Sequence, residues 1–233
     1  MNSRGYAVPT VKETMQKLPV KIEIVSDIVC PWCVIGYYRL LQALERYEYC
    51  IEPEISWLPF ELNPQMPAEG ENLREHLAKK YGTTPQESIE ARQRLTDLGA
   101  EAGFTFNYSD DMRMYNTFNA HQLLHWAAEK DKQTPLSMRL FEDFFSDRKN
   151  VQDHDVLVQA AESVGLDGEE ARQVLDGQTY AEEVRELEQL IAGQGVQGVP
   201  LFVFDRQYAI SGAQEVATFE EQLQQILDEK EQG

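Results

Sequence analysis

The chain has 233 residues, 42% hydrophobic and 26% charged, which suits a soluble globular fold able to bury its own core. Lys and Arg total 21 against 40 Asp and Glu, a net charge of −19 that works against phosphate backbones and anionic lipid. Nucleic acid and membrane surfaces are therefore not expected partners, and no run reaches the roughly 18–20 apolar residues of a membrane span.

Residues 1–19 are polar and aperiodic and are expected to form a flexible N-terminal tail. Lys21 to Val25 alternates and is β-branched, which predicts a strand. After Asp27-Ile-Val-Cys30-Pro31-Trp32-Cys33, the residues Cys33, Tyr37, Leu40, Leu41 and Leu44 share one face of a helix. Pro31 suits the first helical position, which makes Cys30 the N-cap. Ile51 to Trp57 predicts a second strand, with Pro53 marking an edge.

The next stretch is helical. Leu73, Leu77 and Tyr81 share a face, with Gly82 as the stop. Thr84 and Glu87 make a capping box around Pro85, opening a helix that runs to about Ala102. Further helices are expected over 116–129, from Thr134-Pro135, from Asp153 to Ala161, over 169–176 and over 181–192. Gly193, Gly195 and Gly198 then loosen the chain. Leu201 to Phe204 and Gln207 to Ile210 read as two strands about an Asp205-Arg206 turn, and Phe219, Leu223, Ile226 and Leu227 mark a closing helix.

The order is β-α-β, then helices, then β-β-α. About 130 residues of helix cannot be a loop in a compact domain. The expected fold is α/β: a thioredoxin fold with an inserted all-helical subdomain. The discontinuous thioredoxin-like part would cover 20–62 and 193–233, and the insertion 63–192.

The chain has three cysteines, Cys30, Cys33 and Cys50. Too few for a disulfide scaffold, they include one C-x-x-C pair. At a helix start this spacing brings two sulfurs within bonding reach. Cys30, at the positive end of the helix, is expected to be the exposed, low-pKa nucleophile. Cys33, one turn in, is expected to be buried and to resolve the mixed disulfide. Trp32 brings no positive charge, and the acidic surface opposes a further negative one, so the Cys30 pKa should fall less than in strong oxidants. Reduction or isomerisation then fits better than oxidation. A structural zinc site would need four ligands, and no second C-x-x-C accompanies the first, so no metal is expected. Val199-Pro200 follows the glycines and opens a strand; a cis bond there would place Val199 to pair with an extended substrate. The N-terminus shows no apolar signal core, which points to the cytoplasm.

Four segments carry a resemblance: residues 27–36, Pro59-Phe-Glu-Leu-Asn63-Pro64, Asn116-Thr-Phe-Asn-Ala-His121, and Gly195-Val-Gln-Gly-Val-Pro200. In this order they resemble DsbA-like thioredoxin proteins of the FrnE type, over about residues 20–228. The resemblance implies a thioredoxin fold with a helical insert. It also implies a protein disulfide oxidoreductase or isomerase, acting on protein or peptide disulfides and reset by glutathione or a thioredoxin system. No cofactor is required, and glutathione is a candidate redox partner. The same superfamily includes glutathione-dependent hydroxychromene-carboxylate isomerases and kappa-class glutathione transferases, which typically carry Ser at the first cysteine position. Such an isomerase or transferase, acting on a small aromatic compound, is the alternative function. Both cysteines are present here, which favours the dithiol branch.

Other residues have two readings. Asp27 is a candidate proton acceptor for Cys33, or a turn residue ahead of the helix. Asn63, Asn116 and His121 are candidate cleft residues for substrate or glutathione, or a cap and a satisfied histidine. Cys50 reads as a small hydrophobe.

Overall fold

The computed structural model describes residues 17–232. Residues 1–16 of the expected tail lie outside them, but Leu18 and Pro19 belong to the first strand. β1 runs Leu18–Ser26 and α1 Pro31–Glu45; β2 runs Ile51–Pro59. Pairing lengthens β1 beyond its alternating stretch: β1 and β2 lie parallel from Leu18 opposite Ile51 to Ser26 opposite Pro59.

The insert follows. A short strand β3 (Glu71–Asn72) leads into α2 (Leu73–Tyr81) and α3 (Pro85–Ala102). A second short strand, β4 (Arg113–Met114), pairs antiparallel with β3. Then come α4 (Phe118–Ala128), α5 (Gln133–Phe145), α6 (His154–Ser163), α7 (Gly168–Gly177) and α8 (Ala181–Gly193). The insert is therefore not wholly helical. Two-residue strands carry no readable period, and they form because the insert folds 113–114 back onto 71–72. The local signals elsewhere act as read. Thr84 and Glu87 close their capping box, Asp153 caps α6, and Gly82 and Gly103 end α2 and α3 in the left-handed region. Tyr81 departs: it is 63% exposed and does not share the burial of Leu73.

β5 (Leu201–Phe204), β6 (Tyr208–Ser211) and α9 (Val216–Gln232) complete the chain. The sheet order is β2-β1-β5-β6, with β5 antiparallel to both β1 and β6. Asp205 and Arg206 both take positive φ, 48° and 58°, in the three-residue connection between β5 and β6. Ile22, Ile24, Phe202 and Phe204 are fully buried at the centre of the sheet. α1 and α9 pack against Phe202, whose ring meets that of Phe219 edge-on at 5.0 Å. Gly36 makes room here: a Cβ on it would stand 2.9 Å from the Phe202 ring.

Trp57 joins the sheet to the insert. Its ring lies 5.0 Å from that of Tyr37 on α1 and 5.9 Å from that of Phe141 on α5. The Gln133 side chain accepts from the Trp57 N–H and donates to its C=O, both at 2.9 Å. The edge of β2 is thus closed at this point as a further strand would close it.

Candidate active site

Cys30 is the N-cap of α1, with extended backbone, and Pro31 follows in the first turn. No acidic residue stands in that turn to offset the positive helix end. The Cys30 N–H donates to the Asp27 C=O at 2.9 Å, and the Cys33 N–H to the Cys30 C=O at 3.1 Å. Both cysteines are free thiols. Cys33 is fully buried, as its place on the helix face requires. Burial pushes its thiol well above the ordinary value, the adjoining Cys30 sulfur adds to this, and the Ser26 hydroxyl and Asp27 backbone draw it partly back.

Cys30 is not exposed as the sequence suggested; it is 3% accessible. The reason lies 169 residues away, where the Val199 C=O sits 3.7 Å from the Cys30 sulfur. The Val199–Pro200 peptide is cis and immediately precedes β5. Access to Cys30 runs through a cleft of about 520 Å³ between the motif, the Gln197–Val199 segment and the insert. Pro31 and Trp32 line it from the motif side, and Trp32 is 37% exposed. From the insert come Leu73 and Leu77 of α2, Leu95 of α3, and Tyr108. Burial, and then the nearby Cys30, hold the Tyr108 phenol above its ordinary range.

Of the three candidate cleft residues, the structure brings only Asn63 to this cleft. There its Oδ1 accepts from Lys80 Nζ at 2.7 Å and lies 2.9 Å from His76 Nε2. Asn116 and His121 do not line the cleft; they belong to a buried polar cluster. The Asn116 amide donates to Glu61 at 2.7 Å, because a carboxylate only 2% exposed needs donors, and Arg185 supplies the other. Arg185 also pairs with Glu188 at 2.6 Å and lies 3.7 Å over the Phe118 ring. Burial, with the Glu61 charge, keeps the Glu188 carboxyl above its ordinary range although Arg185 opposes this.

His121 Nε2 lies 3.1 Å from the Phe60 C=O and 3.7 Å from Asp27 Oδ1. Burial works to strip its proton, yet the nearby carboxylate of Asp27, with Glu188 and Glu61 behind, holds its pKa above the ordinary value. Asp27 itself is fully buried. Its Oδ2 accepts from the Leu62 N–H at 2.7 Å and its Oδ1 from the Val29 N–H at 3.4 Å. Asp27 thus ties the turn before the motif to the segment entering the insert. Cys50, half-buried, makes one weak contact, from its sulfur to the Tyr47 C=O at 3.5 Å, and lies away from the cleft.

Sequence reasoning missed Ser26, His76, Lys80, Tyr108 and the Asp27–His121 pairing. Ser26, the last residue of β1, stands one place before Asp27, and its position beside a redox motif was the available signal. His76 and Lys80 reach the cleft through the way α2 packs, which no local pattern encodes.

A helix-capping cysteine faces a cis-proline loop across a cleft, with its partner cysteine beneath it. Residues 21–224 match the family described as DSBA-like thioredoxin domain. The chain belongs to the DSBA-like thioredoxin family. It is 35% identical to a probable DsbA oxidoreductase from Streptomyces coelicolor, whose crystal structure superposes with a TM-score of 0.84 over 90% of this chain and 91% of that one. An uncharacterized Bacillus subtilis protein, YwbO, is 26% identical over 80% of this chain and 87% of its own length. The cytosolic disulfide reductase DsbM from Pseudomonas aeruginosa, solved with glutathione, shares the fold at 16% identity and a TM-score of 0.60, over 89% of this chain and 99% of that one.

Proposed function

We propose that the chain is a thiol–disulfide oxidoreductase or disulfide isomerase acting on protein or peptide disulfides, with Cys30 as nucleophile and Cys33 as resolving thiol. The observation that carries this reading is the placement of the Cys30 sulfur at the floor of the cleft, 3.7 Å from the Val199 carbonyl, with Cys33 buried behind it. In the reducing direction the Cys30 thiolate attacks one substrate sulfur. A Cys30–substrate disulfide forms and the other substrate sulfur leaves as a thiolate. Cys33 then loses its proton and attacks Cys30, releasing the second substrate thiol and leaving a Cys30–Cys33 disulfide. Two electrons pass from the dithiol to the substrate. Val199 stands outside the strand ladder, which begins at Leu201, and is assigned the docking of an extended substrate backbone.

Glutathione or a thioredoxin system is the proposed reductant that resets the dithiol, a reading supported by the shared fold of DsbM, solved with glutathione. Among the described residues no helix is long and apolar enough to cross a membrane. A cytoplasmic setting accompanies the proposal, since free thiols persist there. The test is insulin reduction together with refolding of a scrambled disulfide substrate. Cys30→Ser is expected to abolish both, and unchanged rates would refute the reading. The reduction potential of the Cys30–Cys33 pair then separates reductase, isomerase and oxidant.

A further inference from the structure

The cleft beside Cys30 has a charge pattern opposite to that of the chain. The chain carries 40 acidic residues against 21 basic ones. Yet among the described residues no Asp or Glu lines this cleft, whereas His76, Lys80 and Arg92 do. Two of these side chains already have carboxylate partners. His76 Nδ1 lies 2.8 Å from Glu71, and Arg92 lies 3.2 Å from Asp110 while also donating to the Ser88 and Ser109 carbonyls. Lys80 differs. Its ammonium donates to two neutral oxygens, the Leu62 C=O at 2.8 Å and Asn63 Oδ1 at 2.7 Å. An ammonium has three donors, so one remains for a ligand.

A second observation stands beside it. Among the described residues, Thr83 Oγ1 and Ser88 Oγ are buried without a hydrogen-bond partner, and both residues line this cleft as well as the neighbouring hollow that holds Glu75 and Asp110. Ser88 is only 6% exposed. Buried hydroxyls are nearly always partnered, so two orphans on one wall call for an acceptor from outside the chain.

We propose that the end of the cleft between α2 and α3 binds the carboxylate of a disulfide substrate, with Lys80 supplying the charge and Thr83 and Ser88 the hydroxyl donors. One cation with no carboxylate partner among the described residues, its ammonium 5.6 Å from the centre of the Tyr81 ring, matches one negative charge. A phosphate would call for an arginine fork, and Arg92 is already engaged. The apolar body of the substrate lies against Leu73, Leu77 and Leu95, and its disulfide reaches Cys30. The inference rests on the thiol–disulfide reading and adds which disulfides the cleft selects.

Two probes test it in single turnovers of the reduced protein. Dithiobis(nitrobenzoate) is an aromatic disulfide with a carboxylate on each half, and dithiodipyridine is an aromatic disulfide with none. With either probe Cys30 attacks, one aryl thiolate leaves, and Cys33 displaces the second as the Cys30–Cys33 bond forms. The rate ratio of the anionic to the neutral probe is expected to fall at least ~5-fold in Lys80→Gln and in a Thr83→Val, Ser88→Ala chain. A ratio that stays the same in both variants overturns the subsite. Calorimetry of dithiobis(nitrobenzoate) on a Cys30→Ser, Cys33→Ser chain keeps the two readings apart. Binding weakened by Lys80→Gln supports the subsite whatever the thiols do. Failure of the thiol reading shows separately, as unchanged probe reactivity in Cys30→Ser.

Discussion

The Cys30 sulfur and the Val199 carbonyl oxygen lie 3.7 Å apart, although 169 residues separate them along the chain. Both residues line the same cleft, so the wall beside the thiol is built from a segment far away in sequence.

The first prediction concerns the order of the two thiols. On the proposed mechanism, replacing Cys33 by Ser should leave attack by Cys30 intact and remove resolution. Substrate should accumulate as a mixed disulfide on Cys30, detected as a covalent adduct by mass spectrometry under non-reducing conditions. Cys30→Ser should form no such adduct. An adduct on Cys33 in that variant would reverse the assignment.

Alkylation should discriminate between them as well. Cys33 is fully buried with its thiol pushed up, whereas Cys30 opens to the cleft. The thiolate is the reacting form. Limiting iodoacetamide near neutral pH is therefore expected to label Cys30 before Cys33, as read by peptide mapping. Equal labelling would contradict the burial of Cys33.

The Asp27–His121 pair predicts a pH dependence of stability. His121 holds its proton in the folded chain to a pH above its ordinary value of 6.5. Folding therefore takes up a proton, and the resulting stability is fully present below about 6.5 and lost as pH rises through the folded value. Urea unfolding of the wild type and of His121→Gln at a series of pH values should give a difference that shrinks in that direction. A constant difference would remove the pair from the pH response. Asp27→Ala should cost about 3–5 kcal/mol, because it leaves His121 buried without its acid and the Leu62 N–H without its acceptor.

Gly36 tests the packing of α1 on the sheet. A Cβ there would stand 2.9 Å from the Phe202 ring and 3.3 Å from the Ala213 backbone. Gly36→Ala is expected to destabilise the fold by about 1–3 kcal/mol. Gly193→Ala, where a Cβ meets nothing within 4 Å, serves as the control and should be neutral or slightly stabilising.

Much of the fold was written locally. The Thr84–Glu87 box, the glycines after α2 and α3, and the alternating β-branched run of β1 each act through neighbours a few residues away. The same holds for Cys33, whose burial follows from the face it shares with Leu40. What escaped depends on contacts between distant segments. Cys30 looks exposed at a helix start until Val199 arrives to cover it. Asn116 and His121 sit in segments that bordered the expected cleft, but the buried carboxylates Glu61 and Asp27 claim them. The β3–β4 pairing is too short to leave a pattern, and Tyr81 follows the helical period yet faces solvent.

The sheet also sets an order of assembly. β1 pairs with β2 on one side and with β5 on the other, and the whole insert separates those two partners. During synthesis the β1–β2 ladder can close early, but the inner edge of β1 stays open until Leu201 leaves the ribosome. The CPWC thiols exist for that interval without the Val199 wall that shields Cys30. A nascent or truncated chain ending before Val199 therefore carries a reactive dithiol and an unsatisfied strand edge together, which makes it a candidate for misoxidation and for pairing with other chains.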